Sequence, residues 1–291
     1  MLADHSGGKL KVSVLPAGAV VPAFQMLDAV KANLIPLGWA PLYYFAGKDP
    51  AFELLSGVPF ALNGDEHRRW RATSEVKAVV QEFLEPHGVV AIPCSGAQMR
   101  GEFWSRKRVT SVQDLKGMKI RGAGTQITKI YEGAGITPYV LSAGEIVVAL
   151  DKGLIDGASY MTPQIDLSLG LHTVAKYYYY PSITRPSETV DLIVNKGTYD
   201  SLPPGVQTAL WNICALNHER TIVKARQDDN NALQGLRIKN IVNPLPRDIE
   251  QALLSSWQRV KSDYTQQSPA YRKLIDLAER GANSSRTSSD K

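Results

Sequence analysis

Between residues 88 and 195 the chain switches repeatedly between short apolar runs and amphipathic stretches, and this switching limits the fold more than any other feature. Apolar runs at 88–94 (GVVAIPC), 118–121, 138–141, 155–160, 174–180 and 189–195 predict strands. Helical spacing predicts helices over 125–132 and 144–152 and near 166–171. Upstream, alternation over 9–15 (KLKVSVL) predicts a strand. Phe24, Leu27 and Val30 predict a helix over 21–33, and 75–84 is a more polar helical stretch. Strands and helices alternating at this spacing predict an α/β protein of open sheets with right-handed crossovers. Beyond Pro203 the pattern changes to long amphipathic helices over 204–233 and 247–265, with Val206, Leu210, Ile213 and Leu216 along one face of the first. Pro203-Pro204 is a suitable helix entry. A last helix is expected over 268–279, and 281–291 (GANSSRTSSDK) is a polar tail expected to be disordered. The pattern predicts two βα-rich lobes strapped together by C-terminal helices.

Composition excludes several classes. With 291 residues, 44% hydrophobic and 21% charged, the chain can bury two modest cores. The net charge of +5 is spread thinly, and its one compact basic run, Arg106-Lys107-Arg108, reads as a solvated turn. A nucleic-acid binder would show a longer basic stripe with interleaved aromatics, so no nucleic-acid partner is expected. No apolar run reaches the roughly 18 residues of a membrane-spanning helix. Residues 1–8 (MLADHSGG) show neither the basic start nor the apolar stretch of a secretory signal. Cys94 and Cys214 lie far apart without CxxC spacing, and two buried free thiols are expected, with a single disulfide as the alternative.

Few residues point to chemistry. Arg121-Gly122-Ala123-Gly124 sits between a strand and a helix, but a dinucleotide fingerprint starting at Gly122 would need glycine where Ile127 stands. What remains is a helix N-terminus at the C-terminal end of a strand, a favourable place for an anion. Arg121 closes that strand, and its guanidinium can hold a carboxylate through two parallel hydrogen bonds. A surface ion-pair arginine is the bland alternative, and the residues alone leave both open. There is no GxSxG nucleophile elbow, and Cys94 follows an apolar strand as a structural thiol would. The five histidines are scattered with no HExxH pairing. Glu145, Asp151 and Asp156 have no spacing that singles out an acid–base pair. In Tyr177-Tyr178-Tyr179-Tyr180 successive rings face opposite sides of a strand, so two could pack in a core while two line a crevice. Tyr43 and Tyr44 offer a second aromatic wall.

Several stretches together resemble the extracytoplasmic solute receptors of tripartite ATP-independent periplasmic (TRAP) transporters, the DctP-like binding proteins. They are SGGKLKV (6–12), AGKDPAF (46–52), DLKGMKIR (114–121) and ALDKGLIDGA (149–158), continued by Gly170-Leu171-His172 through Tyr180-Pro181. The match runs in order over nearly the whole chain and is closest to the branch that includes α-keto acid receptors. It implies a periplasmic-binding-protein-like fold in which two lobes close over a small carboxylate by a hinge, with TRAP membrane subunits as partners and the periplasm as compartment. Lobe I would comprise 1–90 plus about 182–245, lobe II 91–181, and the C-terminal helices about 246–280.

The resemblance implies that Arg121 is the strand-end arginine gripping the ligand carboxylate, with Tyr43 or Tyr44 as the lining tyrosine. Where the keto-acid branch holds a metal beside the ligand, a Glu-Trp pair corresponds here to Ser159-Tyr160 and a later Glu to Arg185. A Gln ligand corresponds to Gln98 if two small gaps are allowed, or to Arg100 without gaps. Serine and arginine in place of two carboxylates remove the hard oxygen ligands that Na⁺ or Ca²⁺ wants. No metal and no cofactor are therefore expected, with Arg185 supplying positive charge instead, which favours a dicarboxylate or another doubly anionic ligand. Relatives also carry a signal peptide, one strand and one helix before the segment matching residues 6–12. Their absence suggests a truncated gene model, and the chain as written is expected to fold poorly until that start is restored.

Overall fold

The computed structural model describes residues 12–16, 18–97, 100–141, 143–239 and 241–289, with side chains described as far as residue 282. Nine strands are described: β1 (Leu37–Ala40), β2 (Val89–Ala97), β3 (Phe103–Ser105), β4 (Lys119–Arg121), β5 (Thr137–Tyr139), β6 (Gly157–Ala158), β7 (Tyr177–Tyr179), β8 (Glu188–Asn195) and β9 (Val242–Asn243). They form two sheets, one per lobe. The first is antiparallel with order β1-β8-β2. The second is mixed, with order β5-β4-β6-β3-β7-β9; β4 runs parallel to β5 and β6, while β3 runs antiparallel to β6 and β7. Parallel βαβ crossovers, as the alternation predicts, thus build only part of the second sheet.

The chain crosses between lobes after β2 and before β8. The boundary expected at residue 90/91 falls inside β2, because β2 pairs with β8 from Val89↔Asn195 to Ala97↔Glu188 and cannot leave that sheet earlier. Val242 and Asn243, expected in lobe I, pair with Tyr178 and Tyr179 in the second sheet. Three long helices join the halves. Helix Pro204–Ile238 packs on β2 and on helix Pro163–Leu169, and helices Arg247–Gln267 and Pro269–Ser289 pack respectively on helix Thr125–Gly133 and on helices of the first lobe. The last helix runs ten residues past its expected end, so backbone expected as a disordered tail is helical to Ser289. Gly281 does not stop it, since a glycine costs a helix only about 1 kcal/mol and removes no hydrogen bond. Among the described residues no helix is long and apolar enough to cross a membrane.

The strand expected over 9–15 lies partly outside the described residues; Val12 to Pro16 are exposed and form no strand. Alternation creates a strand only where a neighbour accepts its backbone ladder. The two free thiols are also corrected: Cys94 and Cys214 form a disulfide between β2 and helix Pro204–Ile238. The β2–β8 register shifts between Pro93 and Ser95, leaving Cys94 as the extra residue of a bulge, and the helix running along β2 brings Cys214 to it. The sequence separation of 120 hides this contact from any local pattern. Tyr178 and Tyr179 are both buried, on opposite faces of β7: Tyr178 stacks on Trp104, and Tyr179 packs on Phe103 with its hydroxyl bonded to the Val109 backbone. The sheet is covered on both faces, so alternation here does not send any ring of the buried pair toward water.

Candidate functional site

Arg121 ends β4, where pairing with Ala158 and Tyr139 on either side fixes its backbone in the middle of the second sheet. Its side chain is 7% exposed and turned inward. Nε donates to the Leu141 carbonyl at 3.1 Å and Nη1 to the Ser159 carbonyl at 2.6 Å, while the Tyr160 ring lies 5.4 Å from the guanidinium carbon. Among the described residues no carboxylate pairs with it. Burial draws its pKa down, opposed by Tyr43, yet a guanidinium stays protonated. The surface ion-pair alternative therefore fails: the group is inside and its charge is balanced only by neutral dipoles.

Arg185 approaches from the segment that crosses back toward β8. Its guanidinium carbon sits 4.0 Å from the centroid of the Tyr43 ring, a cation–π contact. Tyr43 is buried in the short 3₁₀ turn Leu42–Phe45, its N–H held by Ser56 Oγ at 3.1 Å and its ring edge-on to Tyr44. Burial pushes the Tyr43 hydroxyl up, so it stays protonated. Arg185 Nη2 also meets Glu53 Oε2 at 3.3 Å. Glu53 Oε1 accepts from the Gln126 backbone N–H at 2.9 Å and from Thr125 Oγ at 3.1 Å, and Thr125 in turn accepts from the Tyr264 hydroxyl. Glu53 thus reaches from helix Ala51–Ser56 of the first lobe to the amino end of helix Thr125–Gly133 in the second. The anion place expected there is filled by the protein's own carboxylate. Burial pushes the Glu53 carboxyl up; Arg185 and these hydrogen bonds oppose it. Gly124, at φ +94°, is required here. A Cβ would lie 2.9 Å from Arg185 Nη2 and 3.1 Å from both Glu53 oxygens.

Arg100 lies just past β2 and pairs through Nη1 with Glu188 Oε2, both groups buried. Burial works most strongly against its charge, but Glu188, with Tyr43, Asp166 and Tyr131 adding to it, outweighs burial, so the net shift is upward. Among the described residues its Nε has no partner. Glu102, also buried, fixes the segment carrying Arg185: it accepts from Ser182 Oγ, Thr184 Oγ1, the Ile183 and Thr184 amides and the Tyr131 hydroxyl.

A small cavity at the lobe boundary is lined by Arg100, Ala123, Ile127, Ser159, Thr184 and Arg185, all from the second lobe or the segments that cross to it. Three expected residues, Arg100, Ser159 and Arg185, therefore share one space. Arg121 adjoins it through the Ser159 carbonyl, with Tyr160 beside it, and Tyr43 and Tyr44 stand behind Arg185. Gln98 lies outside the described residues. Sequence reasoning missed Glu53, Glu102 and Glu188. A carboxylate set among Ala51, Phe52, Leu54 and Leu55, or between Gly101 and Phe103, is the available signal, since such a charge is buried only if it has partners. A larger groove lined by Trp70, Val76, Leu277 and Arg280 lies away from this chemistry.

Residues 1–267 match the family model of the bacterial extracellular solute-binding proteins, family 7 (DctP). The chain belongs to this family. Over 210 residues it is 38% identical to a monocarboxylate 2-oxoacid-binding periplasmic protein of Nostoc sp., covering 71% of this chain and 56% of that protein's length. Among solved structures it resembles a TRAP transporter solute-binding protein of Bordetella bronchiseptica, in which calcium and picolinate are bound, at 25% identity and a TM-score of 0.92, covering 98% and 85% of the two chains. It also resembles a TRAP periplasmic solute-binding protein of Pseudoalteromonas atlantica with bound sodium and pyruvate, at 23% identity and a TM-score of 0.91, covering 98% and 87%. DctP proteins are extracytoplasmic, and a disulfide persists in such an oxidising setting.

Proposed function

We propose that the chain is the solute receptor of a TRAP transporter, taking a small organic acid into the interlobe cleft in the periplasm and delivering it to the membrane subunits. The observation that carries this reading is Arg121: a buried guanidinium at the mouth of a parallel strand, beside a cavity at the lobe boundary, with no carboxylate among the described residues to neutralise it. A ligand touching Arg121 on one lobe and Arg185 or Tyr43 on the other favours the closed form, because both contacts exist only there. The family supports a receptor over an α/β enzyme acting on a carboxylate, which would also need a nucleophile or base aimed at the cavity.

Calcium or sodium accompanies the acid in the Bordetella and Pseudoalteromonas structures. The residues here do not fit such an ion. Two guanidiniums line the cavity, and the carboxylates beside it are taken up by Arg185 (Glu53), by the 182–184 segment (Glu102) and by Arg100 (Glu188). Hard cations want oxygen ligands free to face them. Binding is therefore expected to be metal-independent.

A thermal-shift screen of keto, hydroxy, aromatic and dicarboxylic acids, run in EDTA and again in calcium, tests both statements. At least one acid should raise the unfolding midpoint by the same amount in both buffers and be recovered unchanged. No stabilisation by any acid overturns the receptor reading; stabilisation only with calcium overturns the metal-independent site.

A further inference from the structure

Arg185 and the amino end of helix Thr125–Gly133 together make a second place for an anion besides the one at Arg121. Glu53 fills it. Both of its oxygens face donors: Arg185 Nη2 on one, Gln126 N–H and Thr125 Oγ on the other, with the Thr125 hydroxyl hydrogen directed to Glu53 because Thr125 accepts from Tyr264. The side chain is fully buried, and the Gly124 backbone is pressed against the pair. Glu53 comes from the first lobe and its amide partner from the second, so its carboxylate joins the lobes beside the cavity that its partner Arg185 lines.

We propose that Glu53 is a specificity-determining residue that acts as a built-in second carboxylate, so that the cleft accepts acids with one carboxylate and rejects those with two. This rests on the receptor reading above and replaces the dicarboxylate expected from Arg185 alone. A free dicarboxylate must either leave its second charge near Glu53 or displace a tethered carboxylate already holding three donors, and like charges set close together at a buried site are strongly disfavoured.

The test is the ratio of dissociation constants for malonate and pyruvate, measured by titration calorimetry on the whole chain. The wild type should bind pyruvate at least tenfold more tightly than malonate. Glu53→Gln keeps shape and an acceptor for the Gln126 amide but frees the charge of Arg185, and should shift the ratio toward malonate by about tenfold or more. Adding Arg185→Gln should cancel that shift. A role only in packing would weaken both acids together and leave the ratio alone. An unchanged ratio in Glu53→Gln, or a shift that persists in the double variant, overturns the proposal. If Glu53→Gln does not fold, a wild type binding malonate as tightly as pyruvate overturns it by itself. Wild type that binds pyruvate while the variant ratio stays fixed sinks this inference alone; wild type that binds neither acid also overturns it, and the receptor reading falls with it only if the wider acid screen finds no ligand.

Discussion

The two lobes bury ions in different ways. In the first, a buried charge meets an opposite charge: Arg71 pairs with Asp191 at 2.7 Å, and Glu53 with Arg185 at the lobe boundary. In the second, apart from Arg100, which pairs with Glu188 of β8, buried charges meet neutral dipoles: Arg121 is held by two carbonyls, Asp166 by the Trp104 indole N–H and the Met161 amide, and Glu102 by hydroxyls and amides. A paired charge is spent within the protein. A charge held by dipoles is positioned but not cancelled, and its field remains available to a ligand in the cleft. The first lobe is thus built to be a wall and the second to be a grip.

Breaking the Arg71–Asp191 pair, away from the cleft, should therefore cost the most stability and little binding. Asp191→Ala leaves Arg71 buried without its counter-ion and should lower unfolding stability by about 3–5 kcal/mol, while ligand affinity of the folded protein stays within about twofold. Arg71→Met combined with Asp191→Leu should recover most of that loss, since a hydrophobic pair of similar volume often replaces a buried ion pair without penalty. Denaturant titration reads both. If Asp191→Ala weakened binding as much as stability, the division of labour between the lobes would be wrong.

Arg121→Ala should show the converse. Losing the grip should reduce affinity by about 2–5 kcal/mol, since the ligand's carboxylate would be left buried and unpaired. The stability cost should be smaller than that of Asp191→Ala, because only the carbonyls of Leu141 and Ser159 lose donors. Calorimetry showing unchanged affinity would remove Arg121 from the site.

How much of this was legible differs between the lobes for the same reason. Arg121 could be found because its role is local: a strand, a glycine turn and a helix in fifteen residues put a cation at a strand end, and β4 with helix Thr125–Gly133 forms where the pattern predicts. The long helices were legible from one apolar face each. The partners of the first lobe were not, because they are joined across the chain: Arg71 and Asp191 lie 120 residues apart and Glu53 and Arg185 132 apart, as remote as Cys94 from Cys214. Short pieces were also hidden. β1 (LGWA) and β9 (VN) exist only because neighbouring strands supply their ladders, with no periodicity of their own to announce them.

The smallest expected effect, taken per pH unit, concerns Asp166, the second lobe's counterpart to Asp191. Burial pushes its carboxyl up to about 7, against the pull of the Trp104 and Met161 hydrogen bonds. In the unfolded chain the same group titrates near its ordinary 3.8. Between about pH 4 and 7 the folded protein therefore holds a proton that the unfolded chain has released, and raising the pH through this window weakens the fold. His67 and His218 act in the opposite direction: burial depresses them to about 3 and about 4, so the unfolded chain takes up protons first as pH falls, and stability drops on the acid side. Their contribution cancels when wild type is compared with Asp166→Asn at each pH. The variant should be the less stable of the two near pH 4, where the wild-type carboxyl is neutral and well bonded, and should gain on the wild type by at most about 1.4 kcal/mol per pH unit toward pH 7. A difference in stability that stays flat across this range would mean that Asp166 is ionised throughout, with its dipoles alone outweighing the cost of burial.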